Sequence, residues 1–288
     1  MLFSMSTRIE AAELYAKMGF DAIDVDLSSV NRIGELHDSL LDDEDWLEKV
    51  DEQRERCKQM GLVIHSIHMP YKYQFDDPDY SFHYEMMCKA LKAADRMGAE
   101  WAIMHLKPTE KMVPLVKQLL SDSKVEHVKI ALENGSTKKI DQLIEVYDLL
   151  TEEGYQVGIC LDTGHCHMSN NGMNYDIVEE IYRMGSRIKM LHIHDNFRND
   201  DTHAVPFGGN IPWEQVMCAL KDVGYNGAFN YEIAMQWLPE VLKKPFLTSL
   251  LGHTCTSRVE CLESLFCLAC ANCWLAVRPV GGVHQSAI

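Results

Sequence analysis

Eight short apolar runs, each separated from the next by a longer stretch of helical periodicity, constrain this chain more than any other feature of its sequence. The runs are "LFSMS" (2–6), "AIDVDL" (22–27), "VIHSIHM" (63–69), "WAIMHL" (101–106), "VKIALE" (128–133), "VGICLD" (157–162), "IKMLHIH" (188–194) and "AFNYEI" (228–233). Between them lie amphipathic segments such as "RIEAAELYAKMG", "HYEMMCKALKAADRMGAE" and "PWEQVMCALKDVG", several of which stop at glycine, the residue that best tolerates a left-handed helix end. Strand and helix in regular alternation imply parallel strands joined by right-handed crossovers. Eight such units within about 236 residues predict an α/β fold of the closed (β/α)8, or TIM barrel, type. A doubly wound open sheet is the alternative, but no glycine-rich phosphate loop follows the first run.

In a (β/α)8 barrel the functional face is the C-terminal end of the strands. Here those ends carry His68, His105, Glu133, Asp162, His192 with His194, and Glu232. Runs such as "VKIALE" and "AFNYEI" have no packing reason to finish in a carboxylate, whose burial is costly unless it is paired or bound to a metal. His192 and His194 are two residues apart and so share a strand face. His165 follows Asp162 by a turn of chain. His167 lies further along the loop toward "SNNG" and is assigned no role.

The formal net charge is -16 over 288 residues, which argues against nonspecific attraction to nucleic acid or to an anionic membrane. No apolar run approaches the roughly 20 residues that span a bilayer, and a cytoplasmic location is expected. Five of the ten cysteines (57, 88, 160, 166 and 218) are scattered without a framework spacing, as suits reduced thiols.

The motifs "HMPY", "ALENG", "CLDTGH", "LHIHDN" followed by "DTH", and "YEI" resemble, in that order, the xylose isomerase-like barrel superfamily. It holds sugar isomerases and epimerases as well as zinc-dependent apurinic endonucleases. In the ketose epimerase branch the resemblance implies one divalent ion (Mn, Mg or Zn) on Glu133, Asp162, His192 and Glu232, with Glu133 and Glu232 as the catalytic pair. It also implies that His165 and Arg198 contact substrate oxygens, and it leaves His68 and His105 beside the substrate. The expected activity is isomerisation or epimerisation of a small-molecule sugar or sugar phosphate by proton transfer through an enediolate; a homo-oligomer is compatible with it.

The endonuclease branch implies several zinc ions on His68, His105, Glu133, Asp162, His165, His192, Asp201, His203 and Glu232. Against that reading stand the acidic charge, the short segment from His192 to His203, and the lack of basic loops interleaved with aromatics. A third reading is a barrel that binds sugar without turning it over.

The barrel is expected over residues 1–236, and residues 237–288 are expected to form an atypical Cys-rich segment in place of the closing helix. That segment holds "CLACANC" and three acidic against four basic residues, without a fourth ligand at a standard metal spacing. Trp46, Tyr71, Tyr73 and Phe75 are candidates to wall the pocket, Lys72 and Lys107 to meet a phosphate, and the amides of "PFGGN" to cradle an anion.

Overall fold

The computed structural model describes residues 2–27, 40–41, 43–71, 75–135, 140–169 and 175–234. The Cys-rich segment, Lys72 and Tyr73 lie outside the described residues. Eight parallel strands are β1 (Phe3–Thr7), β2 (Ala22–Asp26), β3 (Val63–His68), β4 (Trp101–His105), β5 (Lys129–Glu133), β6 (Val157–Asp162), β7 (Ile188–His192) and β8 (Phe229–Tyr231). Their order is β7-β6-β5-β4-β3-β2-β1-β8. The ring closes where Ile193 bridges Tyr231: the Ile193 amide donates to Asn230 O (2.8 Å) and the Glu232 amide to Ile193 O (3.0 Å). The fold is the (β/α)8 barrel.

Helices α1 (Ala12–Met18), α2 (Trp46–Gln59), α3 (Tyr80–Met97), α4 (Thr109–Ser123), α5 (Ile140–Glu152), α6 (Thr163–His167), α7 (Ile177–Met184) and α8 (Trp213–Asp222) connect the strands. Their apolar faces follow the helical period. In α3, for example, Met86, Met87, Ala90, Leu91, Ala93, Ala94 and Met97 are buried, a stripe that packs on the outside of the barrel. Gly98 ends α3 with φ 78°, a conformation that favours glycine.

Two boundaries differ from the sequence reading. The run 188–194 is strand only to His192, because β7 gives way at Ile193 to the closure with β8, and His194 lies beyond it. The stretch "TGHCH", read as a loop, is the short helix α6. Asp162 starts it by accepting a hydrogen bond from the His165 amide (2.7 Å), the usual work of an N-cap carboxylate. Five residues are too few to show a helical period.

The barrel interior is divided. Trp101, Ile103, Ala131, Cys160 and Met190 form an apolar cluster of their own on β4 to β7. Two residues further along the same inward faces come His105, Glu133, Asp162 and His192. Parallel register sets them in two pairs: His105 opposite Glu133 across β4 and β5, and Asp162 opposite His192 across β6 and β7, while Glu133 itself stands opposite Cys160 across β5 and β6. The large core lies between barrel and helices, so the site stands on a wall packed from outside.

Candidate metal centre

Glu133, Asp162, His192 and Glu232 each offer one ligand atom, and these four atoms lie within 4.8 Å of one another. His192 Nδ1 is 2.9 Å from Glu232 Oε2 and 3.3 Å from Glu133 Oε1. Glu133 Oε2, Asp162 Oδ2 and Glu232 Oε2 are buried and take no hydrogen bond. Orphaned carboxylate oxygens converging on one point are costly by themselves, and a divalent cation is the group that would satisfy them. The mixed carboxylate and imidazole set fits Mn, Mg or Zn. The residues therefore fit the metal expected from the sequence.

Two more groups flank the first. His68, His105 and Glu133 form one, with His68 Nε2 3.1 Å from His105 Nε2 and both imidazoles within 3.3 Å of Glu133 Oε2. His165, Asp201 and His203 form the other, Asp201 Oδ2 lying 3.1 Å from His165 Nε2 and 3.2 Å from His203 Nε2. Glu133 is common to the first two groups. A third flanking combination, His194 with His203 and Glu232, overlaps these.

The ring orientations follow one rule in His68, His165 and His203. Each turns Nδ1 to a main-chain carbonyl, of Met69 (3.0 Å), Asn134 (3.1 Å) and Glu232 (2.9 Å) respectively. That contact uses the Nδ1–H and turns Nε2 toward the site.

Burial works against protonation of His68, yet the adjoining Glu133 carboxylate raises its pKa to about 9. Burial likewise opposes the charge on His203, and Asp201 lifts it to about 9. At His105 burial prevails and lowers the value. Burial would raise Glu133, but the His105 and His192 charges hold it well below the usual carboxylate range. This is a pocket whose charges call for cations.

Local packing places these groups. Asn134 clamps the ends of β5 and β6: its Nδ2 donates to Asp162 O (2.9 Å) and its Oδ1 accepts from the Asp162 amide (2.8 Å). Asp195, fully buried, organises the loop from β7 to α8. It accepts from the amides of Asn196 (2.8 Å), Phe207 (2.9 Å) and Ile211 (3.2 Å) and from Trp213 Nε1 (2.8 Å). Its backbone exchanges two hydrogen bonds with Ala204, which sets His203 over the barrel mouth. A Cβ at Gly209 would fall 2.3 Å from Asp195 Oδ1 and 2.2 Å from Asn196 O, so only glycine lets this loop close.

A cavity of about 250 Å³ is lined by His68, Tyr71, His105, Glu133, His165, Asp201, His203 and Glu232. Seven of the ten site residues expected from the sequence line this cavity, and Asp162 and His192, fully buried, join Glu133 and Glu232 in the four-residue group. Arg198 does neither. Its Nη1 donates to the carbonyls of His167 (3.2 Å) and Tyr175 (3.1 Å), so the guanidinium braces the loop rather than meeting substrate.

The other loop expectations divide. Tyr71 walls the pocket and stacks on His105 (4.4 Å, 17°), whereas Phe75 packs on Tyr80 and Trp46 on the core. Lys107 donates to Tyr71 O (3.1 Å). The amides of Phe207, Gly208 and Asn210 are spent on Asp195, Val205 and Asn196, so "PFGGN" is an internally bonded turn rather than an anion cradle. His167 is buried and its Nε2 lies 2.7 Å from Asn210 Oδ1. His194 is buried as well, 2.9 Å from Asp162 Oδ1 and stacked on His203 (4.0 Å, 9°).

A (β/α)8 barrel with carboxylates and imidazoles gathered at its C-terminal mouth defines a class of barrels with a candidate metal centre. Within that class the chain belongs to the Xylose isomerase-like TIM barrel family, whose pattern matches residues 12–245.

Among curated relatives, protein y4fM of Sinorhizobium fredii is 30% identical over 111 residues, 38% of this chain and 34% of that protein. D-psicose 3-epimerase of Enterocloster bolteae is 32% identical over 85 residues, 29% and 25% of the two chains. Probable endonuclease 4 of a Sulfurihydrogenibium species is 21% identical over 178 residues, 52% and 64%. The chain thus matches about a third of the length of y4fM and a quarter of that of the epimerase.

Among solved structures, the IolI protein with a bound zinc atom superposes with TM-score 0.65 at 16% identity, covering 94% of this chain and 97% of that one. A D-tagatose 3-epimerase-like protein gives 0.62 at 20%, with 92% and 98% covered. At these identities the structures speak to fold. Among the described residues no helix is long and apolar enough to cross a membrane.

Proposed function

We propose that this chain is a divalent-metal-dependent isomerase or epimerase of a sugar or sugar phosphate. The observation that carries the reading is the meeting of two carboxylates that line the cavity, Glu133 from β5 and Glu232 from just beyond β8, with the fully buried Asp162 and His192. Names such as D-psicose 3-epimerase among the relatives support the same substrate class.

A divalent ion held by these four side chains supplies electrostatic stabilisation to negative charge that develops on adjacent substrate oxygens. The chain's own residues supply the proton handling. Glu133 and Glu232 stand on wall positions separated by β6 and β7. One carboxylate takes the proton from the carbon beside the carbonyl, leaving an enediolate. The other returns a proton to the opposite face of that carbon, which inverts it. Return to the neighbouring carbon instead gives aldose and ketose exchange. No electrons are gained or lost overall. His165, in the cavity wall with Nε2 inward, is placed to hold a substrate hydroxyl, and His68 and His105 line the same cavity. Glu133→Gln and Glu232→Gln are expected to abolish turnover while the barrel stays folded; normal turnover in both sinks the two-carboxylate mechanism.

A second reading, phosphodiester hydrolysis on several zinc ions in the manner of an apurinic endonuclease, is favoured by one observation. Glu133 Oε2 already faces the His68 and His105 pair, as a carboxylate shared between two ions does. The net charge of -16 weighs against a DNA substrate. Metal content separates the readings: one tightly held ion fits the isomerase, and three zinc ions with cleavage of abasic DNA fit the nuclease.

A further inference from the structure

His192 breaks the orientation rule that His68, His165 and His203 obey. Its Nδ1 faces the site carboxylates, and its Nε2 points into the barrel, 3.4 Å from Asp24 Oδ2. Asp24 is fully buried on β2, a strand that supplies no candidate ligand, and it does not line the cavity.

Behind it runs a chain of polar contacts. Asp24 Oδ2 accepts from Ser6 Oγ (2.8 Å), and Ser6 Oγ accepts from Asn230 Nδ2 (2.8 Å). Four strands, β8, β1, β2 and β7, thus meet beneath the metal centre through Asn230, Ser6, Asp24 and His192. A carboxylate in such a place costs several kcal/mol if left uncompensated, and the apolar cluster on β4 to β7 shows that the interior can be filled without one.

We propose that Asp24 is a positioning residue for His192: it accepts the Nε2–H of the imidazole and so holds the ring with the Nδ1 lone pair facing Glu133, Asp162 and Glu232. Carboxylate contacts of this kind fix the tautomer and raise the basicity of a ligating histidine. Ser6 and Asn230 hold the carboxylate in turn. The inference rests on the four-residue metal centre proposed above.

Zinc affinity, measured by competition with a chelating indicator, tests it. Asp24→Asn keeps the shape and removes the charge, and is expected to weaken zinc binding about 10- to 100-fold while the metal-free protein keeps its circular dichroism spectrum. Ser6→Ala, with Asp24 intact, is expected to weaken it in the same direction by less.

A measurement on the wild-type protein covers the case in which Asp24→Asn fails to fold. In zinc-loaded protein with 15N-labelled histidine, the His192 proton should reside on Nε2 and the metal-shifted nitrogen should be Nδ1. Wild-type affinity in Asp24→Asn, or a proton on Nδ1, overturns the inference alone. Wild-type protein that binds no zinc overturns the metal centre itself and the inference with it.

Discussion

Gly164 lies directly against the imidazole of His194: a Cβ at Gly164 would fall 1.9 Å from His194 Cε1 and 2.2 Å from Nδ1. The helix α6 therefore passes close enough to the end of β7 for Asp162, which caps it, to meet His194 at 2.9 Å. Gly164→Ala is expected to push His194 aside and destabilise the protein by about 1–3 kcal/mol, the usual cost of overpacking. Urea unfolding of the two proteins measures this, and equal midpoints would show that the helix can retreat without loss.

The loop from β7 to α8 depends on Asp195, and among the described residues Trp213 Nε1 gives the one side-chain hydrogen bond that this carboxylate accepts. Trp213→Phe removes that bond and one of the two rings of a buried indole. Unfolding should show a loss of about 1.5–3 kcal/mol, the range for hydrogen bonds to charged groups. A loss below about 0.5 kcal/mol, the level of ordinary surface changes, would contradict the assignment.

Arg198 is expected to be a structural brace. Arg198→Ala should lower thermal stability through the freed carbonyls of His167 and Tyr175, and should leave KM for the best sugar substrate within about threefold of wild type. A large rise in KM at unchanged stability would restore the substrate contact implied by the resemblance.

Proton linkage makes a prediction for protein stripped of metal by chelator. His68 and His203, each at about 9, are raised above the unfolded value of about 6.5. Their stabilisation is complete below that value and is lost as pH rises through 9. Glu133, Asp201 and Glu232 are depressed, so theirs is present above the unfolded carboxylate value of about 4 and is lost on acidification. The melting temperature of stripped protein should fall from pH 6.5 to 9. Zinc binding at pH 7.5 should release protons, measured by calorimetry in buffers of different ionisation enthalpy. A flat melting profile with no proton release would contradict these charge states.

Much of this was legible in the residues. Strands buried on both faces read as apolar runs, and a carboxylate or imidazole closing such a run marks itself, so the barrel and His68, His105, Glu133, Asp162, His192 and Glu232 could be named from the residues, whereas His165, Asp201 and His203 are named through the family resemblance. The remainder depends on chain segments that meet only in the fold. Asp24 alternates with Asp26 in "AIDVDL", a pattern that places both on one face without saying that His192 comes to meet one of them. The role of Asp195 needs the chain to return at Phe207, Ile211 and Trp213. A substrate contact for Arg198 is implied by the resemblance alone, but its backbone adopts φ 75° and its guanidinium bonds to the carbonyls of His167 and Tyr175. His167 looked like a loop residue because the short helix that buries it has no periodic signature.

The central claim is proton transfer at a carbon of a sugar substrate, and solvent isotope incorporation measures it most directly. Metal-loaded protein incubated in D2O with a panel of ketoses and ketose phosphates should place deuterium at a carbon beside the carbonyl of at least one of them, and Glu133→Gln should not. Absence of exchange across the panel, with cleavage of abasic DNA by the same preparation, would contradict the account.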